Sequence, residues 1–336
     1  MALTLSVLDQ SPIREGRTAA DAIEESLALA RHCDALGYRR YWLAEHHNAG
    51  GLAGSAPEIL IGRIAQVTER MRIGAGGIML NHYSALKVAE SFRMLETLYP
   101  GRIDLGIGRA PGSDSRTARA LAHGPGALGI EYFPRQIKDV VDFVHDQVEE
   151  ESPFRGVHAE PRGPGAPEIW LLGSSDQSAA YAAHFGLPFS FGHFINDQGG
   201  EAVMQAYMRQ YAPSELYPEP RGSVGVFVIV AETEAEAQRL ARSRDLWLLR
   251  LRLGRPGPVP SPEEAEAYPY TAQEMMIVEY NRHRTIAGDP AGVAARLGAI
   301  AEAHGVDELV VVTITHDFEA RLRSYALLAE AFGLEA

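Results

Sequence analysis

Short apolar runs take turns with longer segments in which apolar residues recur every three to four positions, and the alternation continues from one end of the chain to the other. The runs at 3–8, 40–43, 71–80, 103–107, 168–172, 188–191, 224–230 and 308–312 read as β-strands, because a strand covered on both faces has few polar positions. Helical periodicity at 18–36, 57–70, 84–98, 136–149, 175–184, 201–211, 233–251, 291–304 and 318–332 fills the intervals, and Gly37 and Gly186 stand where helices stop. Eight strand candidates, each followed by helical material, predict an α/β chain folded as a (β/α)8 TIM barrel, with residues 1–336 forming one domain. An open doubly wound sheet is the alternative, since spacing does not reveal strand order. The first strand lacks the G-x-G-x-x-G turn of a dinucleotide-binding sheet, however, and glycine-rich or polar sequence follows several strands, as the C-terminal face of a barrel requires.

Two stretches interrupt the pattern. Residues 111–134 are glycine-rich and turn-prone, which predicts an insertion at the active face. The proline-rich run 253–262 and the acidic residues after it favour extended, partly ordered chain. A mobile insertion around 250–275 is expected there, preferably a lid over a ligand pocket, with an interdomain linker as the plainer alternative.

Composition removes several function classes. Hydrophobic residues make up 46% of the chain, enough for a large core, and 31 Lys plus Arg against 44 Asp plus Glu give a net charge of -13. With no basic run to offset that charge, neither nucleic acid nor an anionic membrane surface is an expected partner. Cys33, the single cysteine, lies in a helical pattern and reads as a buried, inert thiol. The N-terminal residues lack a basic segment followed by an apolar one, and no apolar span suits a membrane helix, so a soluble, cytoplasmic protein is expected.

Candidate chemistry gathers at strand ends. The strand Ile103, Leu105, Ile107 is punctuated by Gly106 and Gly108, runs into Arg109 and continues to Gly112, placing a fixed cation where an anionic ligand could approach backbone closely. A buried structural arginine is the competing explanation. The second strand ends in Leu43, Ala44, Glu45, His46, His47 and Asn48; neighbouring side chains point oppositely, so His46 is taken to face a ligand and His47 to support it. No metal-binding spacing is present, and no metal is expected. Gly76 and Gly77 in the third strand suit either a flat ring lying against backbone or dense packing against a bulky neighbour. After the fifth strand, Gly173 permits a tight turn into a helix whose N-terminus, with the hydroxyls of Ser174 and Ser175, could hold a phosphate together with Arg109. An ordinary N-cap at Ser175 or Asp176 explains the same residues locally.

Taken in order, the segments 5–9, 43–47, 76–80, 101–109 and 173–175 resemble the bacterial luciferase-like family of flavin-dependent monooxygenases. The resemblance implies a (β/α)8 barrel that takes reduced FMN as co-substrate from a separate flavin reductase and uses molecular oxygen to oxidise an aldehyde or another small organic substrate. It implies His46 as the catalytic histidine, Arg109 on the flavin phosphate with Gly173, Ser174 and Ser175 beside it, Gly76 and Gly77 next to the flavin ring, a non-prolyl cis peptide in the third strand, and a homodimer. Gly108 stands where luciferase carries a cysteine, which leaves light emission open. An F420-dependent hydride-transfer enzyme on the same barrel and a non-catalytic flavin-binding accessory protein are the alternatives.

Overall fold

A computed structural model describes residues 3–109, 114–121 and 129–335. Its strands are β1 (Thr4–Asp9), β2 (Arg40–Leu43), β3 (Arg72–Met79), β4 (Ile103–Gly108), β5 (Glu168–Gly173), β6 (Phe189–Gly192), β7 (Gly222–Val230), β8 (Thr285–Gly288) and β9 (Glu308–Val312). All pair in parallel. Strands β1 to β7 are neighbours in chain order, and β9 lies between β7 and β1, closing an eight-stranded barrel. The helices are α1 (Ala19–Ala35), α2 (Pro57–Gln66), α3 (Ala85–Leu98), α4 (Ser115–Leu121), α5 (Phe133–His145), α6 (Asp176–His184), α7 (Gly200–Gln210), α8 (Glu234–Arg252), α9 (Pro262–Ala267), α10 (Ala272–Arg282), α11 (Pro290–His304) and α12 (Phe318–Phe332).

Strand alternation sorts the core into two shells. Leu5, Val7, Tyr41 and Leu43 face outward into the large layer between barrel and helices, where Cys33 is also buried and its thiol pushed well up by desolvation. Leu8, Trp42, Trp170 and Val310 point inward, and the two indoles meet edge to face at 5.4 Å. The inward set occupies the barrel interior and supports what lies above it.

Below the indoles, at the N-terminal ends of the strands, the barrel is closed by charge. Arg40 opens β2 and is fully buried; its Nε donates to Glu308 Oε1 at 2.7 Å, and its Nη1 donates to Asp104 Oδ2 at 2.8 Å and Glu168 Oε1 at 3.2 Å. Arg72 reaches the other Asp104 oxygen at 2.6 Å, and Arg221 reaches Glu168 at 3.0 Å. The Trp42 and Trp170 indoles donate to Asp104 and Glu168 from above. Burial alone would lower the Arg40 pKa, but Asp104, Glu308 and Glu168 reverse that and hold the guanidinium charged.

Three features go beyond the sequence expectations. Within and beyond the insertion expected around 250–275, Ser261 and Thr271 cap α9 and α10, the second with Glu274 as a capping box. The proline-rich stretch before them is extended but tied down, with Val259 N–H donating to Ile13 O at 2.8 Å and Trp247 Nε1 to Gly257 O at 2.9 Å. The strand β8 was not expected; it pairs with Phe227–Val230 of β7, beyond the end of β6. The helix expected over 57–70 stops at Gln66, because the Asp34 carboxylate collects the backbone N–H groups of Glu69, Arg70 and Met71 and turns the chain into β3. Of the glycine-rich stretch 111–134, α4 and a 3-10 turn over Ile130–Tyr132 are described; Gly112 lies outside the described residues.

Replacing Arg40 with methionine leaves the buried Asp104 and Glu308 and the part-buried Glu168 without their shared cation. Loss of about 3–5 kcal/mol of folding stability is expected. Chemical denaturation checks it, and a change within about 0.5 kcal/mol would show that the cluster does not hold the barrel floor.

Candidate active site

The C-terminal ends of the strands surround a cavity of about 580 Å³, and His46, Gly76, Gly77, Arg109, Gly173, Ser174 and Ser175 all line it. These residues come from the ends of β2, β3, β4 and β5, so sheet pairing alone makes them neighbours.

Gly76 and Gly77 are required by packing. A Cβ on Gly76 would come within 2.8 Å of Leu8 Cδ1 and 2.9 Å of Trp42 Cβ, and one on Gly77 within 2.7 Å of the Gly106 carbonyl oxygen. The peptide between them is cis, in the third strand as the resemblance implies. With side chains excluded, this stretch of wall is bare backbone, flat enough for a planar ring.

Gly173 makes the turn into α6. A Cβ there would sit 2.3 Å from Ser178 Cβ, so the first turn of α6 could not fold back against β5. Ser175 caps the helix by accepting from Ser178 N–H, and its hydroxyl also lies 3.2 Å from the Ser178 hydroxyl. The Asp176 carboxylate accepts from Gln177 N–H at 2.8 Å. Arg109 reaches this helix terminus from the neighbouring strand and donates through Nη1 to Gln177 Oε1. It is the only Lys or Arg among the described residues lining the cavity, and its partner there is neutral.

The histidines divide as alternation predicts. Glu45, which is buried, accepts from Tyr83 O–H at 2.6 Å and from Met79 N–H at 2.9 Å and lies 2.6 Å from His47 Nε2. Glu45 therefore joins the ends of β2 and β3 and takes up His47. His46 is held through its backbone N–H on Gly54 O at 2.8 Å, leaving the ring at the cavity wall, where buried Nδ1 has no partner among the described residues. Burial, then the neighbouring His47, lowers its pKa from 6.5 to about 4, so the imidazole is neutral at physiological pH.

The sequence did not single out Glu45 as an anchor, nor Trp42, Leu172, Ser190, Phe194 and Gly225, which also line the cavity. Their signal is position: each stands in or just beyond a strand of the barrel. A second cavity of about 720 Å³ adjoins the first and shares Gln10, His46 and Phe194 with it. Gly254 and Pro256 line this second cavity, so the proline-rich stretch borders it and not the first. Among the described residues, no group of three His, Cys, Asp or Glu side chains could hold a metal ion, and no helix is long and apolar enough to cross a membrane.

Comparison with known proteins agrees with this architecture. Residues 3–308 match the family model described as luciferase-like monooxygenase. The uncharacterized protein YwcH of Bacillus subtilis is 46% identical over 331 residues, covering 98% of this chain and 99% of that one. A luciferase-like monooxygenase of Escherichia coli K12 is 40% identical over 330 residues, covering 97% and 96%. The crystal structure of apo-MsnO8 superposes with a TM-score of 0.90 at 40% identity over 99% of both chains. With a closed parallel barrel, a cavity at its C-terminal face and these full-length relatives, the chain belongs to the luciferase-like family of flavin-dependent monooxygenases.

Proposed function

We propose that the 580 Å³ cavity binds reduced FMN and that this enzyme uses it with molecular oxygen to oxidise a small organic substrate. The observation that carries the proposal is Arg109, a cation whose described partner is the neutral Gln177 amide in the first turn of α6 and which lines the cavity together with Ser174 and Ser175. A phosphate supplies the missing negative charge. Arg109 would bind it, Ser174 and Ser175 would donate their O–H groups, and Gly173 would let the helix terminus approach. The bare backbone at Gly76 and Gly77 would lie against the ring. F420 fits less well, because its long anionic tail calls for more cations than the one arginine in the lining.

Reduced FMN, when bound, supplies the electrons for oxygen activation. The chain's own residues position and exclude. Trp42, Leu8 and Leu172 close the apolar side of the cavity to water, and His46, neutral at working pH, holds a proton on one ring nitrogen and presents the other as an acceptor. Glu45 keeps the β2 terminus in place through Met79 and Tyr83 while His46 does this.

A separate NAD(P)H:flavin reductase is inferred as the source of reduced FMN from the likeness to the luciferase-like family. A homodimer is inferred through α2 and α3, which expose Ile59, Met94 and Leu98 at 75%, 50% and 60%. A cytoplasmic location is the inference from the sequence.

The function is tested by anaerobic loading with reduced FMN, admission of oxygen and product analysis against a panel of small organic substrates. Substrate-dependent oxygen incorporation is expected, and hydride transfer from reduced F420 without it would overturn the assignment. In the same preparation, Arg109→Ala should weaken FMN binding by about 1.5–3 kcal/mol and leave riboflavin binding unchanged. Equal losses for both flavins would remove the phosphate role.

His46 has a pH signature. Its folded pKa lies below the unfolded one, so between 6.5 and about 4 the unfolded chain takes up a proton that the folded chain refuses. The stability of the wild type relative to His46→Gln should therefore fall as pH drops through that window and level off below it. Denaturation midpoints at several pH values check this; parallel curves would mean that the ring is not desolvated. For the dimer, light scattering at micromolar concentration should give twice the 36.6 kDa chain mass, and a persistent monomer would exclude it.

A further inference from the structure

The second cavity holds a charge that the flavin site does not use. Arg244 on α8 is only 4% exposed, yet it lines this cavity. Its guanidinium stacks 3.9 Å from the Phe227 ring centroid, and Nη1 donates to the Thr285 hydroxyl at 2.5 Å. Nε is buried without a partner among the described residues. The adjacent carboxylate, Asp245, is bound by Arg282 at 2.8 Å. Asp114, the acid in the cavity lining, is engaged by Asn48, Thr117 and the backbone N–H of Arg116. Burial, opposed by Asp245 and reinforced by Arg284, pulls the Arg244 pKa down to about 9, which leaves a cation at neutral pH with no ion-pair partner among the described residues.

The remaining lining is largely apolar: Leu52, Phe194, Trp247, Leu248, Leu251 and Pro256. An arginine is expensive to bury without a partner, and a hydrophobic chamber gains nothing from one unless its ligand carries the complement. A planar guanidinium fork fixed over an aromatic ring matches a carboxylate.

We propose that the 720 Å³ cavity is the substrate site and that Arg244 binds the carboxylate of a small organic acid whose apolar portion extends toward His46 and the first cavity. The proposal rests on the flavin assignment of the first cavity, because the shared wall of Gln10, His46 and Phe194 is where the substrate would meet the cofactor. Arg244 is then a specificity residue for acids over neutral molecules of the same shape.

Calorimetric titration of the FMN-loaded enzyme with octanoate and with octanamide tests this. Octanoate should bind at least about ten-fold more tightly than octanamide, as expected for a charged hydrogen bond made in a dry site. In Arg244→Gln the octanoate advantage should disappear while octanamide binding changes little, and FMN affinity, titrated separately, should stay at the wild-type value. Equal binding of the two molecules to the wild type, or binding of neither, would overturn the proposal without need of a variant. Equal loss of both in Arg244→Gln would also overturn it. A wild type that binds octanoate through Arg244 but shows no affinity for FMN would instead remove the flavin assignment, which separates the two failures.

Discussion

The barrel depends on the buried guanidinium of Arg40. One side chain at the start of β2 reaches acidic residues of β4, β5 and β9, elements separated by up to 268 positions in the chain, and so joins the bottom of the ring across its diameter. With Arg72 and Arg221 the cluster balances Asp104, Glu168 and Glu308, three positive charges against three negative. Such a cluster adds little stability over an apolar plug of the same volume, but it tolerates no missing member and permits few alternative registers. Strand register at the floor sets which residues emerge at the opposite end, so the placement of His46, Arg109 and Ser174 begins one strand length below them.

That division of labour explains what was legible in the sequence. The eight barrel strands could be read because residues buried on both faces leave almost unbroken apolar runs, as in 224–230 and 308–312. β8 could not, since Thr285–Gly288 offers only Ile286 and Ala287 between a threonine and a glycine and so shows no apolar run. In 253–282 the prolines obscured structure: Pro262 sits in the first turn of α9, where a missing N–H costs nothing, and Ser261 before it is an ordinary cap. The same residues that break a helix in mid-course begin one here.

Arginine shows the limit of sequence reading at the site. Arg40, Arg109 and Arg244 are chemically identical in the sequence, and only their partners distinguish them. The first is matched by carboxylates, the second meets the neutral amide of Gln177, and the third has a hydroxyl and an aromatic face. Glycine neighbours marked Arg109 in advance because they signal close approach. Nothing comparable surrounds Arg244, which lies in the middle of an amphipathic helix and acquires its meaning from a cavity formed by distant loops. Glu45 was hidden similarly, its role depending on Met79 and Tyr83 across a strand boundary.

The two cavities meet at Gln10, His46 and Phe194, so no ligand can settle in one without setting the shape of a wall of the other. A shared wall makes the two occupancies thermodynamically reciprocal: whatever factor one ligand contributes to the affinity of the second, the second returns to the first. Because His46 belongs to that wall and its buried Nδ1 has no partner among the described residues, a ligand in either cavity that engages this ring is felt in the other.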